Sequence, residues 1–310
     1  MRIGLPGGAA SVDKMIEQAR RAEADGFTSL WYAGAIGGDP LVAMALAGRA
    51  TERIELGTAI LQTYAMHPVA MARRAASVAA AFGRPGFTLG VGPSHRPVVE
   101  DAYGLSYERP GRHTEEYVQI LAPLLRDEDV AFDGDDFHVR IAGPATQPAL
   151  PIPLLVAALA PRLLRVAGTH ADGTVTWMAN ATAIEDLIAP RLREAATVAG
   201  RPEPRIVAGL PVAVVDPGEE AGARQAAAQA FAVYGTLPNY QRVLAAGGLT
   251  QPADAAIVGD EASVAAQIEE LFAAGATDVW AAPFPVGDDR PGSRARTRAL
   301  LKELVTTHVG

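Results

Sequence analysis

The sequence predicts a (β/α)8 barrel, a closed ring of parallel strands with helices outside. Three observations carry that prediction. The stretch Arg53–His95 reads as strand, helix, strand, the repeating piece of a parallel sheet. The same alternation recurs along the chain, with strands starting near residues 2, 29, 54, 87, 153, 173, 205 and 277. No GxGxxG opens a first helix, which leaves a doubly wound sheet as runner-up.

The elements follow in order. Arg2–Leu5 is a short apolar strand. Val12–Asp25 has helical apolar spacing, with Ser11 as its cap and Gly26 as its stop. Ser29–Ala33 is a strand, and Pro40–Thr51 a helix with Asp39 as cap and Pro40 at its first position. Ile54–Ile60 and Phe87–Val91 are buried strands flanking an Ala-rich helix, Pro68–Phe82. His67 precedes the helix-starting proline and orders that loop.

The middle is less regular. Arg96–Arg112 is a long loop with prolines and tyrosines, the kind that tends to be functional. Thr114–Leu125 is a helix capped by His113 or Thr114. Val130–Ile141 is a hairpin around Asp133, Gly134 and Asp135. The rhythm resumes with strand Pro153–Ala157, helix Arg162–Thr169, strand Gly173–Thr176 and helix Thr182–Gly200. Strand Arg205–Val215 and helix Glu219–Tyr234 come next. Gly235–Val258 breaks the pattern, with a short helix at Tyr240–Ala246. Helix Asp260–Ala274, strand Thr277–Ala282 and helix Arg294–Val305 close the chain. The expected organisation is one domain, 1–310, with rim insertions at about 96–112, 127–150 and 235–258.

Composition narrows the function. Of 310 residues, 49% are hydrophobic and 20% charged, which suits a packed core and not a disordered chain. The formal charge is 27 − 35 = −8, which argues against a nucleic-acid surface. Without cysteine there is no disulfide, thiolate nucleophile or Cys-based metal site. No signal-peptide pattern or spanning segment is read, so no membrane partner and a cytoplasmic location are expected. His113 and Glu116 share a helix face, and two ligands make no metal site. The Arg290–Arg298 cluster reads as a solvated helix start, with contact to an acidic ligand tail as the alternative.

Both strands of the Arg53–His95 unit end in residues that suit a site. Ile60 is followed by Gln62, Thr63, Tyr64 and His67; Val91 by Gly92, Pro93, Ser94 and His95. In parallel α/β folds the ligand lies beyond the carboxyl ends of the strands, so both ends should face one pocket. Tyr64, Met66, Tyr103, Tyr107, Trp177, Tyr234 and Tyr240 are candidates to line it. An apolar pocket of that kind suits a small organic molecule.

Five blocks bear a resemblance. They are RAEADGFTSLW (Arg21–Trp31), ELGTAILQTYAMHP (Glu55–Pro68), TLGVGPSH (Thr88–His95), VAALAPRLLRVAGTHADGTVTW (Val156–Trp177) and GDEASVAAQIEELFAAGATD (Gly259–Asp278). In this order they resemble the bacterial luciferase-like barrel superfamily, and within it the oxidoreductases that use coenzyme F420, a deazaflavin. FMN is the alternative cofactor.

The resemblance implies a set of roles. The Ala59–Ile60 peptide is expected to be a cis bond forming a bulge under the deazaflavin ring. Gly92, Pro93, Ser94 and His95 line the cofactor. His95 stands where related sugar-phosphate dehydrogenases carry a glutamate, a candidate proton donor, and an imidazole titrates near neutral pH. Ala158, Leu159 and Ala160 meet the cofactor's polar chain. Trp177, Met178, Ala179 and Asn180 lie where relatives hold its phosphate, and the helix from Thr182 points N–H groups there. Tyr64, Tyr107 and Trp177 flank the substrate. Two departures stand out. Asn180 replaces a lysine of the sugar-phosphate enzymes, and Gly34 and Ala35 replace a common Asp-His pair. The implied readings are an F420-dependent oxidoreductase, an FMN-dependent monooxygenase, or a non-catalytic flavin-binding protein. A homodimer through the Ala-rich helices Pro40–Thr51 and Pro68–Phe82 is also expected.

Overall fold

The computed structural model describes residues 1–34, 38–142 and 150–307. The chain begins β1 (Ile3–Gly7), α1 (Val12–Ala24), β2 (Ser29–Tyr32), α2 (Pro40–Arg49), β3 (Glu55–Thr58), β4 (Leu61–Gln62), α3 (Pro68–Phe82) and β5 (Phe87–Gly92). It continues through α4 (Pro110–Leu125), the hairpin β6 (Val130–Asp133) and β7 (His138–Ile141), β8 (Leu154–Val156), α5 (Pro161–His170) and β9 (Gly173–Trp177). The rest is α6 (Ala181–Ala183), α7 (Ala189–Val198), β10 (Arg205–Val214), α8 (Glu220–Phe231), α9 (Pro238–Ala246), β11 (Ile257–Gly259), α10 (Glu261–Ala273), β12 (Asp278–Pro283) and α11 (Arg290–Thr307).

Strands β1, β2, β3, β5, β8, β9, β10 and β12 pair in parallel in that order, and β12 returns to β1. The predicted barrel is therefore the observed one. β4 continues the line of β3 along β5, and β11 pairs with the upper half of β10.

Local chemistry places the helices. Ser11 accepts from Lys14 N–H, Asp39 from Leu41, His67 Nδ1 from Val69 and Asp260 from Ser263. Gly83 ends α3 at φ 67, in the left-handed region that a residue with a Cβ avoids.

Several expectations needed correction. The helix expected from Thr114 starts at Pro110, because proline is already set for a first helical position; neither His113 nor Thr114 caps it. The helix expected over 182–200 contains a π turn at Ile184–Ile188, directly before Pro190. Proline lacks the N–H and its ring crowds the carbonyl four residues back, so the helix widens there. The strand expected over Ile54–Ile60 is shorter, Glu55–Thr58, with a second strand, Leu61–Gln62, just beyond it, and the loop after β5 holds a π turn, Val98–Ala102. Strand β11 was not anticipated; three residues in a Gly- and Pro-rich stretch give no periodicity to read.

The barrel interior is tiered. At the amino-terminal ends of the strands, Glu55 and Asp278 face Arg2 and Arg205. Arg205 donates to Glu55 at 2.9 Å and to Asp278 at 2.8 Å, while Arg2 reaches both at 2.6 Å. The four charges cancel in a place where any one alone would be costly. Above them Trp31 packs with Leu155, Val175 and Val207. Gly57 makes room: a Cβ there would lie 2.3 Å from the Trp31 ring. The next inward position up β12 is Trp280, which lies over Gly209 in the same way.

Candidate active site at the carboxyl end of the barrel

The β3–β5 ladder breaks after Gly57 and resumes at Leu61. In the gap the Thr58 hydroxyl takes over the ladder. It donates to the Gly90 carbonyl at 2.7 Å and accepts from the Gly90 N–H at 2.8 Å. On the other flank, Ala59 N–H donates to the Tyr32 carbonyl at 2.8 Å and Gly34 N–H to the Ile60 carbonyl at 3.1 Å. The Ala59–Ile60 peptide between these anchors is cis, as the resemblance implied. Gly90 must be glycine for this: a Cβ would sit 2.0 Å from the Thr58 carbonyl oxygen. Gly34 also lies close, with Ile60 O at 2.9 Å from a built Cβ. Ala35, the second half of the missing Asp-His pair, lies outside the described residues.

The bulge faces a cavity of about 550 Å³. Nine of the expected residues line it: Ala59, Ile60, Pro93, Ser94, His95, Tyr107, Leu159, Ala160 and Trp177. Tyr234, just before the third insertion, and Tyr240, within it, line it too.

Other expected residues do not reach it. Gly92 faces inward, but Ala157 Cβ and the Ile60 side chain fill the space above it. Ala158 points outward into the helix layer, and Ala157, one step along the period-two alternation, is the lining residue. Met178 and Ala179 are fully buried in that same layer. The Asn180 side chain is engaged elsewhere: Oδ1 accepts from Ala183 N–H at 3.0 Å and Nδ2 donates to the Gly247 carbonyl at 3.0 Å. It thus occupies an N–H expected to meet a phosphate. Thr182 is exposed on α6, which is only three residues long. Tyr64 stacks on His113 at 3.9 Å, off the cavity, and burial pushes its hydroxyl up to about 12. Tyr103 is exposed, and Met66 packs below the rim beside Arg74.

His95 is held by its backbone. Ser94, just before it, has φ 63, and its carbonyl accepts from the Tyr107 hydroxyl at 2.7 Å. The His95 carbonyl accepts from Val98 and Val99 N–H, both at 3.0 Å. Arg96 lies over the Tyr107 ring at 5.6 Å and donates to the Tyr107 carbonyl at 3.2 Å. The imidazole lies 5.9 Å from the Tyr240 ring and makes no hydrogen bond among the described residues. Burial lowers its pKa from 6.5, which keeps the ring neutral at pH 7.

One wall is aromatic. Trp177 and Trp280 stack at 4.8 Å and 26°, and Tyr234 packs on Tyr240 at 4.7 Å. Trp280 was missed in the sequence, although the alternation inward from Asp278 leads straight to it. Asn239 was missed as well, and Arg162 was expected only as the end of the backbone stretch Ala158–Arg162 that meets the cofactor's polar chain. Gln62 had been noted only as part of a polar strand end; its Oε1 is buried without a partner among the described residues. Arg162 shares Glu115, at 2.6 Å, with Arg165, at 2.7 Å, so the three side chains keep one net positive charge at the rim. No group of His, Asp or Glu among the described residues is arranged to hold a metal ion, and no described helix is long and apolar enough to cross a membrane.

Similar proteins give this site a setting. A putative coenzyme F420-dependent oxidoreductase from Mycobacterium tuberculosis is 30% identical over 189 residues, covering 56% of this chain and 54% of that protein. An F420-dependent secondary alcohol dehydrogenase, solved with an F420–acetone adduct, superposes with a TM-score of 0.75 at 21% identity, covering 97% of both chains. The oxygenating constituent of 3,6-diketocamphane monooxygenase from Pseudomonas putida, solved with FMN, does so at 0.72 and 16% identity, covering 100% and 99%. At those identities the two structures speak for the fold alone. The sequence profile of the luciferase-like monooxygenases matches residues 2–278, and the chain belongs to that family.

Proposed function

We propose that the protein is an oxidoreductase that binds coenzyme F420 and moves a hydride between this deazaflavin and a small organic substrate. The observation that carries the reading is the cavity itself. It has a bulge anchored on both flanks as its floor, an aromatic wall, and a neutral histidine facing in. The kinship to a protein named as F420-dependent directs the choice of cofactor.

The residues present fit such a group. Ala59 and Ile60 would carry the ring, and the unpartnered Gln62 Oε1 offers an acceptor to a ring N–H. The phosphate has a better place than the one expected near Asn180. Both α4 and α5 begin at the cavity, at Pro110 and beside Ala160, with no capping side chain and no acid in the first turn. Their free N–H groups suit an anion. When bound, the deazaflavin supplies a ring carbon that takes or gives a hydride. The protein's own part is to orient the substrate, exclude water and handle one proton. Neutral His95 can take a proton from a substrate hydroxyl or return it to a carbonyl oxygen. Tyr107 fixes the loop that presents it.

Titration of the purified protein with F420 and with FMN tests the reading. Saturable F420 binding and weak FMN binding are expected. Tight FMN binding with none for F420 would replace it with an FMN-dependent monooxygenase. F420 binding without turnover on a broad substrate panel would leave a binding protein. We also propose a homodimer through α2 and α3, because Val42 and Leu46 stand exposed one turn apart on α2. Light scattering that finds a monomer at micromolar concentration refutes that.

A further inference from the structure

The charge distribution around the cavity restricts what it accepts. Arg162 is the one formally charged side chain among the described residues that line it. It is more than half exposed, at the rim, and both its Nε and a terminal nitrogen are held by Glu115. The interior beyond it presents Gln62, the neutral His95 ring, Asn239, three tyrosines and the stacked pair Trp177–Trp280. Residues 35–37 and 143–149, outside the described set, contain no ionisable side chain. The uncapped helix ends, which would favour an anion, lie at the rim and serve the cofactor phosphate in the reading above.

We infer that the substrate is an uncharged molecule with an aromatic or aliphatic body and one hydrogen-bonding oxygen, and that carboxylated and phosphorylated compounds are excluded. The inference rests on the proposed function for the nature of the reacting group, an alcohol or carbonyl. The charge argument rests on that function as well, because the uncapped helix ends are open to an anion unless the cofactor phosphate holds them. A carboxylate placed among these walls leaves water and gains no cation inside the rim in return. A neutral ketone loses one weak hydrogen bond to water and can recover it from His95 or the Gln62 amide. Its body meets the tyrosine and tryptophan faces, which favour rings and methylenes.

The test uses the full-length protein and two matched pairs of probes: acetophenone with 4-acetylbenzoate, and 2-heptanone with 6-oxoheptanoate. Glucose 6-phosphate is the fifth probe. Binding is read by saturation-transfer NMR and calorimetry, with and without F420. Failure to bind F420 contradicts the proposed function, whereas the pairs and glucose 6-phosphate, read on the F420-loaded protein, decide the charge argument. The expected result is that at least one neutral ketone binds, and that its carboxylated partner binds more weakly by roughly 10-fold or more. The inference is overturned if a carboxylated partner or glucose 6-phosphate binds as tightly as the neutral ketones, or if neither ketone binds at millimolar concentration. Tyr234→Ala should weaken the neutral ketone severalfold. An unchanged affinity would put the probe outside this cavity and also overturn the inference.

Discussion

Replacing Thr58 by valine asks how much the bulge depends on one hydroxyl. The change preserves shape and removes only the oxygen. Thr58 is fully buried, and that oxygen serves both the N–H and the C=O of Gly90. No neighbouring strand can replace it, because β3 and β4 reach β5 only on either side of the gap. The variant therefore leaves two buried backbone groups without partners. Each orphan costs about 1–3 kcal/mol. With partial recovery by a trapped water, the net loss is about 2–4 kcal/mol. Urea denaturation followed by circular dichroism measures it, with Thr58→Ser as the control that retains the oxygen. Because the bulge floors the cavity, F420 affinity should fall alongside stability. A Thr58→Val loss below about 0.5 kcal/mol, the range of an ordinary surface change, would refute the claim that the hydroxyl replaces the ladder.

Other outcomes follow from the same geometry. His95→Ala should lower kcat by roughly 10²–10⁴-fold once a substrate is in hand, with F420 affinity little changed; a large loss of affinity instead assigns His95 to binding. Burial depresses the pKa of His95, and also of His113 and His170, where nearby Asp136 and Glu115 respectively work against it. A depressed histidine pKa means that the unfolded chain binds more protons below pH 6.5. Stability should then be full above that pH and decline as pH falls through it. Melting curves from pH 8 to 5 check this, and a flat profile contradicts it. Asp278→Asn should cost about 3 kcal/mol or more in urea unfolding, since it unbalances the buried cluster with Arg2 and Arg205; a neutral result would show that water already screens the cluster.

The barrel was readable because its strands and helices carry the two periodicities plainly. Pro68–Phe82 was predicted to the residue, and Ser11, Asp39 and Asp260 announced their helices. The site was readable only in part. The carboxyl ends of the strands did converge, as at His95, Tyr107 and Trp177. Which residue of a strand end faces in is a matter of parity, and one step separates Ala157 from Ala158. No spacing reveals that the Asn180 side chain caps its own helix and ties down Gly247. Trp280 was legible from alternation, yet a tryptophan in a buried strand gives no sign of lying beside an opening until the ring closes.

The three tryptophans of the chain all stand along the barrel axis, Trp31 in the middle tier and Trp177 with Trp280 at the mouth. None lies on the outer surface to add background. The tryptophan emission of the molecule therefore comes entirely from its lumen. The two upper indoles, 4.8 Å apart, form a coupled chromophore pair whose near-ultraviolet dichroism depends on their mutual angle. A ligand that parts or tilts them will register in that signal before any label is attached. The fold thus carries its own optical gauge of occupancy.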